Sequence, residues 1–135
     1  MKKSILLTLF VGVLSLSLNA QCYELYFTNA AGSPHHGNLT LWPNGTGLLI
    51  VQYPNGYGGW NCVEQYVETE KTYMPAYRAY AVCIRGRNPR FCGTSVNNSS
   101  YYPDNICLIN TRSGWSIVNI SGGSISGAWI RQVWC

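Results

Sequence analysis

Three of the arginines in this 135-residue chain stand close together: Arg85, Arg87 and Arg90, in the run CIRGRNPRFC from Cys83 to Cys92. A guanidinium presents a flat fork of donors that suits carboxylate, sulfate or phosphate. A disulfide from Cys83 to Cys92 would hold all three in one loop and lower the ordering cost of a contact. The chemistry on offer is recognition of an anionic partner: an acidic glycan, an anionic surface or an acidic extracellular protein. Aromatic side chains could share that contact. Trp42, Tyr53 and Tyr57 lie at or near two Pro-Asn-Gly turns, at 43–45 and 54–56. Their faces can stack on sugars or anchor a protein interface. Trp115, Trp129 and Trp134 fall in predicted strands and are expected to fill the core.

Groups able to carry out a reaction are sparse. His35 and His36 are the only histidines, adjacent in Ser-Pro-His-His-Gly, and are expected as plain loop residues. Beyond the first twenty residues the acids are Glu24, Glu64, Glu68, Glu70 and Asp104. Glycoside hydrolysis needs two carboxylates flanking a cleft, whereas Glu64, Glu68 and Glu70 crowd together and read as a solvent face. Gly123 to Gly127 spells G-S-I-S-G, which puts Ile125 where a serine nucleophile would stand. A nuclease would combine His35 or His36 with Arg85 or Arg87, but no spacing brings them together. No C-x-x-C occurs, which argues against a zinc or redox site. No catalytic residue, metal or other cofactor is assigned.

The elements that must position these residues are strands. Asn38 to Glu68 holds three β-prone runs, near 38–42, 48–53 and 60–68, cut by the two Pro-Asn-Gly turns. Cys22 to Asn29 alternates Tyr23, Leu25 and Phe27 against Glu24, Tyr26 and Thr28, the pattern of a half-buried strand. Ala30 to Gly37 reads as a loop. A strand is predicted from about Tyr77 to Ile84 with Pro75 at its edge; a helix over 64–81 is the competing reading. Arg85 to Asp104 reads as irregular. Asn105–Asn110 and Trp115–Ile120 flank Thr-Arg-Ser-Gly as a hairpin, and Ile125 to Trp134 supplies a last strand. About eight strands at this spacing predict a small all-β antiparallel barrel or sandwich.

Six cysteines, Cys22, Cys62, Cys83, Cys92, Cys107 and Cys135, predict three disulfides with fifteen possible pairings. Cys83 with Cys92, and Cys22 with Cys135, are the two pairs expected. Lys2 and Lys3, the apolar stretch from Ile5 to Leu18 and the Leu-Asn-Ala ending at Ala20 have the layout of a cleaved signal peptide over 1–20. That stretch is shorter than the roughly 20 residues a spanning helix needs, so no membrane span is expected. Residues 21–135 then form one secreted or periplasmic domain. Removing Lys2 and Lys3 takes the net charge from +4 to +2, too little to imply nucleic acid as a partner.

Ser121 to Gln132, SGGSISGAWIRQ, resembles the closing strand of small secreted barrels of the lipocalin and avidin kind, through its Gly-x-Trp at 127–129. The resemblance implies a barrel. It carries over no ligand residues, and Cys22–Asn29 lacks the Gly-x-Trp that lipocalins place in their first strand. The functional expectation is a secreted, non-catalytic binding protein. It would recognise a glycan, an anionic surface or a protein through Arg85, Arg87, Arg90, Trp42, Tyr53 and Tyr57. The alternatives are an inhibitor of a hydrolase, or a small secreted nuclease or glycosidase.

Overall fold

The computed structural model describes residues 19–29, 31–123, 125 and 127–135; most of the predicted leader therefore lies outside the described residues. The strands are β1 (Gln21–Thr28), β2 (Pro34–Leu41), β3 (Thr46–Pro54), β4 (Trp60–Met74), β5 (Ala79–Phe91), β6 (Asn105–Thr111), β7 (Gly114–Val118) and β8 (Trp129–Val133). All pairings are antiparallel, in the order β7-β6-β5-β4-β3-β2-β1-β8. β8 pairs with β1 and touches β7 without a hydrogen-bonded ladder. The sheet is thus a nearly closed barrel, not a sandwich.

Period-two alternation sorts the side chains. Tyr23, Leu25 and Phe27 of β1 point inward and join Leu39, Leu49, Val51, Val63, Val67, Ile84, Leu108, Ile117 and Ile130 in one buried cluster. Each aliphatic side chain so buried is worth roughly 1.5–3 kcal/mol. A second, smaller core lies on the outer face. β6 is apolar on both sides: Ile106 and Leu108 face the barrel interior, while Cys107 and Ile109 join Ala81, Cys83, Val118 and Met74 outside. The far part of the long β4–β5 hairpin covers that face, and Tyr77 Oη donates to the Gly122 carbonyl at 2.9 Å.

The chain ends are tied by Cys22–Cys135, as expected. The expected Cys83–Cys92 pair is not made. Cys83 bonds Cys107, its direct cross-strand neighbour, and Cys92 bonds Cys62. The reason is that β5 runs on through Arg85 to Phe91 where irregular chain was predicted. At about 3.3 Å per residue, that separates Cys83 from Cys92 by far more than a disulfide's reach. Other boundaries shift too. β2 begins at Pro34, so both histidines lie in a strand and not in a loop. β4 extends to Met74, which excludes the helix over 64–81, and Pro75 opens a 3-10 turn at the hairpin tip. The last strand starts at Trp129. Of the three tryptophans expected in the core, only Trp115 packs against it; Trp129 and Trp134 are exposed.

Candidate functional site

One end of the barrel is open. The chain reaches it at the end of β1, the start of β2, the end of β3, the segment before β6 and the end of β7. Three of the connections there share one local device. Asn29, Asn55 and Asn119 each donate a backbone N–H to the carbonyl four residues on, at Ser33, Gly59 and Gly123. Each also turns its side-chain oxygen onto backbone N–H groups inside the turn. The fourth residue of each turn is a glycine with φ between +80° and +90°: Gly32, Gly58 and Gly122. A left-handed residue there suits glycine alone without strain, and the asparagine oxygen satisfies donors that the turn would otherwise strand.

The first of these turns sets the next layer. The Ser33 carbonyl that closes it also bonds His35 Nδ1 at 3.0 Å. A carbonyl only accepts, so Nδ1 donates and Nε2 keeps its lone pair in the neutral ring. His35 is 2 % exposed. Its ring lies between Phe27, with centroids 5.2 Å apart, and Tyr53, 5.0 Å away and nearly parallel at 11°. Tyr101 continues the stack, 5.4 Å from Tyr53.

Below the stack sits an ordered polar group. Gln65, fully buried between Val63 and Val67, clasps Asp104 from two sides. Its Nε2 donates to Asp104 Oδ2 at 2.7 Å, and its Oε1 accepts from the Asp104 backbone N–H at 2.8 Å. Tyr101 Oη donates to the same Oδ2 at 2.6 Å. Gly86 makes the room: a Cβ there would collide with Gln65 Oε1 and press on the Asp104 backbone. Burial pushes the Asp104 carboxyl above its ordinary range, with hydrogen bonds from Tyr101 and Gln65 and the nearness of His35 opposing it. Burial and the Asp104 charge together push the Tyr101 phenol up. Above these groups opens a cleft of about 1000 Å³, bordered by Phe27, His35, Tyr53, Tyr101, Tyr102 and Asp104.

Of the six residues expected to bind a partner, only Tyr53 belongs to this cleft; His35, expected as a plain loop residue, lines it too. Trp42 sits at the opposite end of β3, beside a separate depression of about 450 Å³. Tyr57 is 94 % exposed on the β3–β4 connection. The three arginines are not in a disulfide-closed loop but on the outer face of β5, each against a glutamate of β4. Arg87 meets Glu68 at 2.9 Å, Arg85 meets Glu70 at 3.5 Å and Arg90 meets Glu64 at 3.4 Å. Arg90 also lies 4.1 Å above the Tyr66 ring. His36 points outward from β2 and bonds Glu24 at 2.9 Å. Arg131 approaches Glu24 from β8, and Arg131 first, then His36, holds that carboxyl below its ordinary range.

His35, Gln65, Tyr101 and Asp104 were not legible as a group. A signal existed for two of them. His35 has the parity of the inward-facing Leu39, and Gln65 stands between two inward valines. Among the described residues no three His, Cys, Asp or Glu side chains gather to hold a metal ion. No family model, curated protein or solved structure matches the chain.

Proposed function

We propose that this chain is an exported binding protein that holds a small molecule in the cleft at the open end of its barrel. One observation carries the reading: an aromatic stack and a hydrogen-bonded Gln65–Asp104–Tyr101 group line a cleft large enough for a ligand, on a rim braced by three matching turns. Pockets of roughly 300–1,000 Å³ with a few placed polar groups are where small molecules bind. A braced rim reduces the ordering cost of holding one. The three disulfides suit an oxidising compartment, and no described helix is long and apolar enough to cross a membrane. The test is titration with N-phenyl-1-naphthylamine, an uncharged fluorescent aromatic. Saturable fluorescence enhancement that drops about tenfold in affinity in Tyr53→Ala supports the site. No enhancement, or enhancement indifferent to Tyr53, removes it.

A second reading places a contact on the outer face of β4 and β5. There Tyr66 is exposed across from Arg87, with Arg85 further along β5 and a shallow depression of about 660 Å³ near Arg90 and Asn97. This surface would take an acidic glycan or a protein partner. Retention on heparin resin at low salt, lost when Arg85, Arg87 and Arg90 are all changed to Ser, supports it. A wild-type chain that flows through unretained excludes the acidic glycan.

A further inference from the structure

The charge of the cleft is opposite to what the arginines led the sequence to promise. Among the described residues Asp104 is the one acid lining it, and no Lys or Arg borders it. Asp104 Oδ2 is fully used by Gln65 and Tyr101, whereas Oδ1 has no hydrogen-bond partner among the described residues. His35 shows the same asymmetry, with Nδ1 on the Ser33 carbonyl and Nε2 without a partner there. No described side-chain nitrogen or oxygen is both sealed from solvent and unpartnered. Both atoms therefore reach solvent, and both residues line the cleft. Each is an acceptor: a carboxylate oxygen and an imidazole lone pair.

Around these two acceptors stand π faces. Phe27, Tyr53, Tyr101 and Tyr102 border the cleft, and an aromatic face carries negative potential that draws a cation. A bound anion would meet two lone pairs, one negative charge and several ring faces, with no cationic side chain to offset them. A neutral hydroxyl could donate to only one acceptor. An ammonium group has several donors and a full positive charge, and a charge-assisted bond to a carboxylate is about twice as strong as a neutral one.

Resting on the reading of this cleft as a ligand site, we infer that its ligand is a small organic cation: a protonated amine carrying an aromatic or other flat group. The ammonium bonds Asp104 Oδ1 and His35 Nε2, and the flat group joins the stack over Tyr53. Acidification opposes binding, because Asp104 takes up a proton and gives up the charge that holds the ammonium, and burial makes it do so at a higher pH than a free aspartate would. His35, Tyr53, Tyr101 and Tyr102 are the other titratable groups bordering the cleft with Asp104.

Three probes of one shape separate the possibilities: phenethylamine, 2-phenylethanol and 3-phenylpropanoate, titrated calorimetrically at pH 8. The amine is expected to bind at least tenfold more tightly than the alcohol. Asp104→Asn should erase that preference, so that amine and alcohol bind the variant within about twofold of each other. Should Asp104→Asn fail to fold, the wild-type chain gives a second readout in titrations repeated from pH 8 down to pH 4. Amine affinity should fall on acidification as Asp104 takes up its proton, while alcohol affinity holds. Equal binding of amine and alcohol, or tighter binding of the propanoate, overturns the cation but leaves the ligand site standing. If none of the three binds while N-phenyl-1-naphthylamine does, the cation is again overturned. If all four fail, the site falls with it.

Discussion

The two ends of the barrel are made from the same strands and treat their interiors in opposite ways. At one end Tyr23 meets Trp115 edge-on at 5.9 Å, Leu41 packs on the core, and Cys22–Cys135 staples β1 to the end of the chain. Backbones come so close there that a Cβ on Gly47 would collide with the Thr40 carbonyl of the paired strand. At the other end aliphatic side chains give way to Phe27, His35, Tyr53 and the Asp104 group, and a cleft remains. An eight-stranded barrel is just wide enough for side chains to fill it. A cavity therefore arises only where something other than aliphatic packing holds the walls apart. Here rigid rings and the hydrogen bonds of Gln65 and Tyr101 to Asp104 do so.

This contrast can be broken from either side. The largest effect is expected from the staple at the closed end. Cys22→Ser with Cys135→Ser opens a link spanning 113 residues, worth about 5 kcal/mol on loop entropy. The Cys62–Cys92 bond near the mouth spans 30 and is worth about 3.5 kcal/mol on the same scale. Guanidinium unfolding of the two double variants should rank them in that order. Gly47→Ala comes next, with an expected loss of about 3 kcal/mol from overpacking against backbone. Its signature is a lower thermal midpoint with binding at the mouth preserved up to that temperature.

At the mouth, Gln65→Leu strips two hydrogen bonds from a buried aspartate and should cost about 2 kcal/mol. Unlike Gly47→Ala, it should also weaken the N-phenyl-1-naphthylamine complex. Asp104 sharpens the contrast through pH. Its folded carboxyl binds its proton more tightly than the unfolded one does, so its contribution to stability falls as pH rises through the folded-state range and recovers on acidification. Glu24, held low by Arg131 and His36, acts in the reverse sense: its contribution is present above the ordinary glutamate range and lost below it. Urea midpoints measured from pH 7 down to pH 4 should therefore show wild type gaining on Asp104→Asn as the pH falls. The smallest effect belongs to the outer face. Arg87→Ser removes an exposed ion pair and should change stability by no more than about 0.5 kcal/mol.

Much of the barrel could be read from alternation and turn residues. Tyr23, Leu25 and Phe27 declare an inward face, and the hairpin around Arg112 and Ser113 is where the sequence puts it. The two Pro-Asn-Gly turns stand where the sequence puts them, at the two ends of β3, so Trp42 and Tyr57 do not share one contact. The structural repeat is Asn-x-x-Gly-Gly/Ser, at 29–33, 55–59 and 119–123, and it marks the mouth each time. The β5 strand was hidden by its own composition. Arg85, Arg87 and Arg90 with Pro89 look like loop, and what makes them strand is the glutamate row on β4 and a bulge opposite Gln65, where Asn88 takes φ of +50°. The polar cluster was hidden for a deeper reason. Asp104 and Gln65 are 39 residues apart, and no local period reports a contact made over Gly86 of the strand between them.

Closure itself has a consequence for how the molecule assembles. Strands β1 to β7 form a meander in which each can zip onto its predecessor as soon as it is made. β8 cannot, because its partner is β1, and Glu24 finds Arg131 across 107 residues. Pairing over so long a separation is entropically late and slow. Until Trp129–Val133 arrives, β1 offers a bare edge of unpaired amides, and a β8 from a neighbouring chain fits it as well as its own. Assembly at high concentration should therefore yield dimers that trade this last strand.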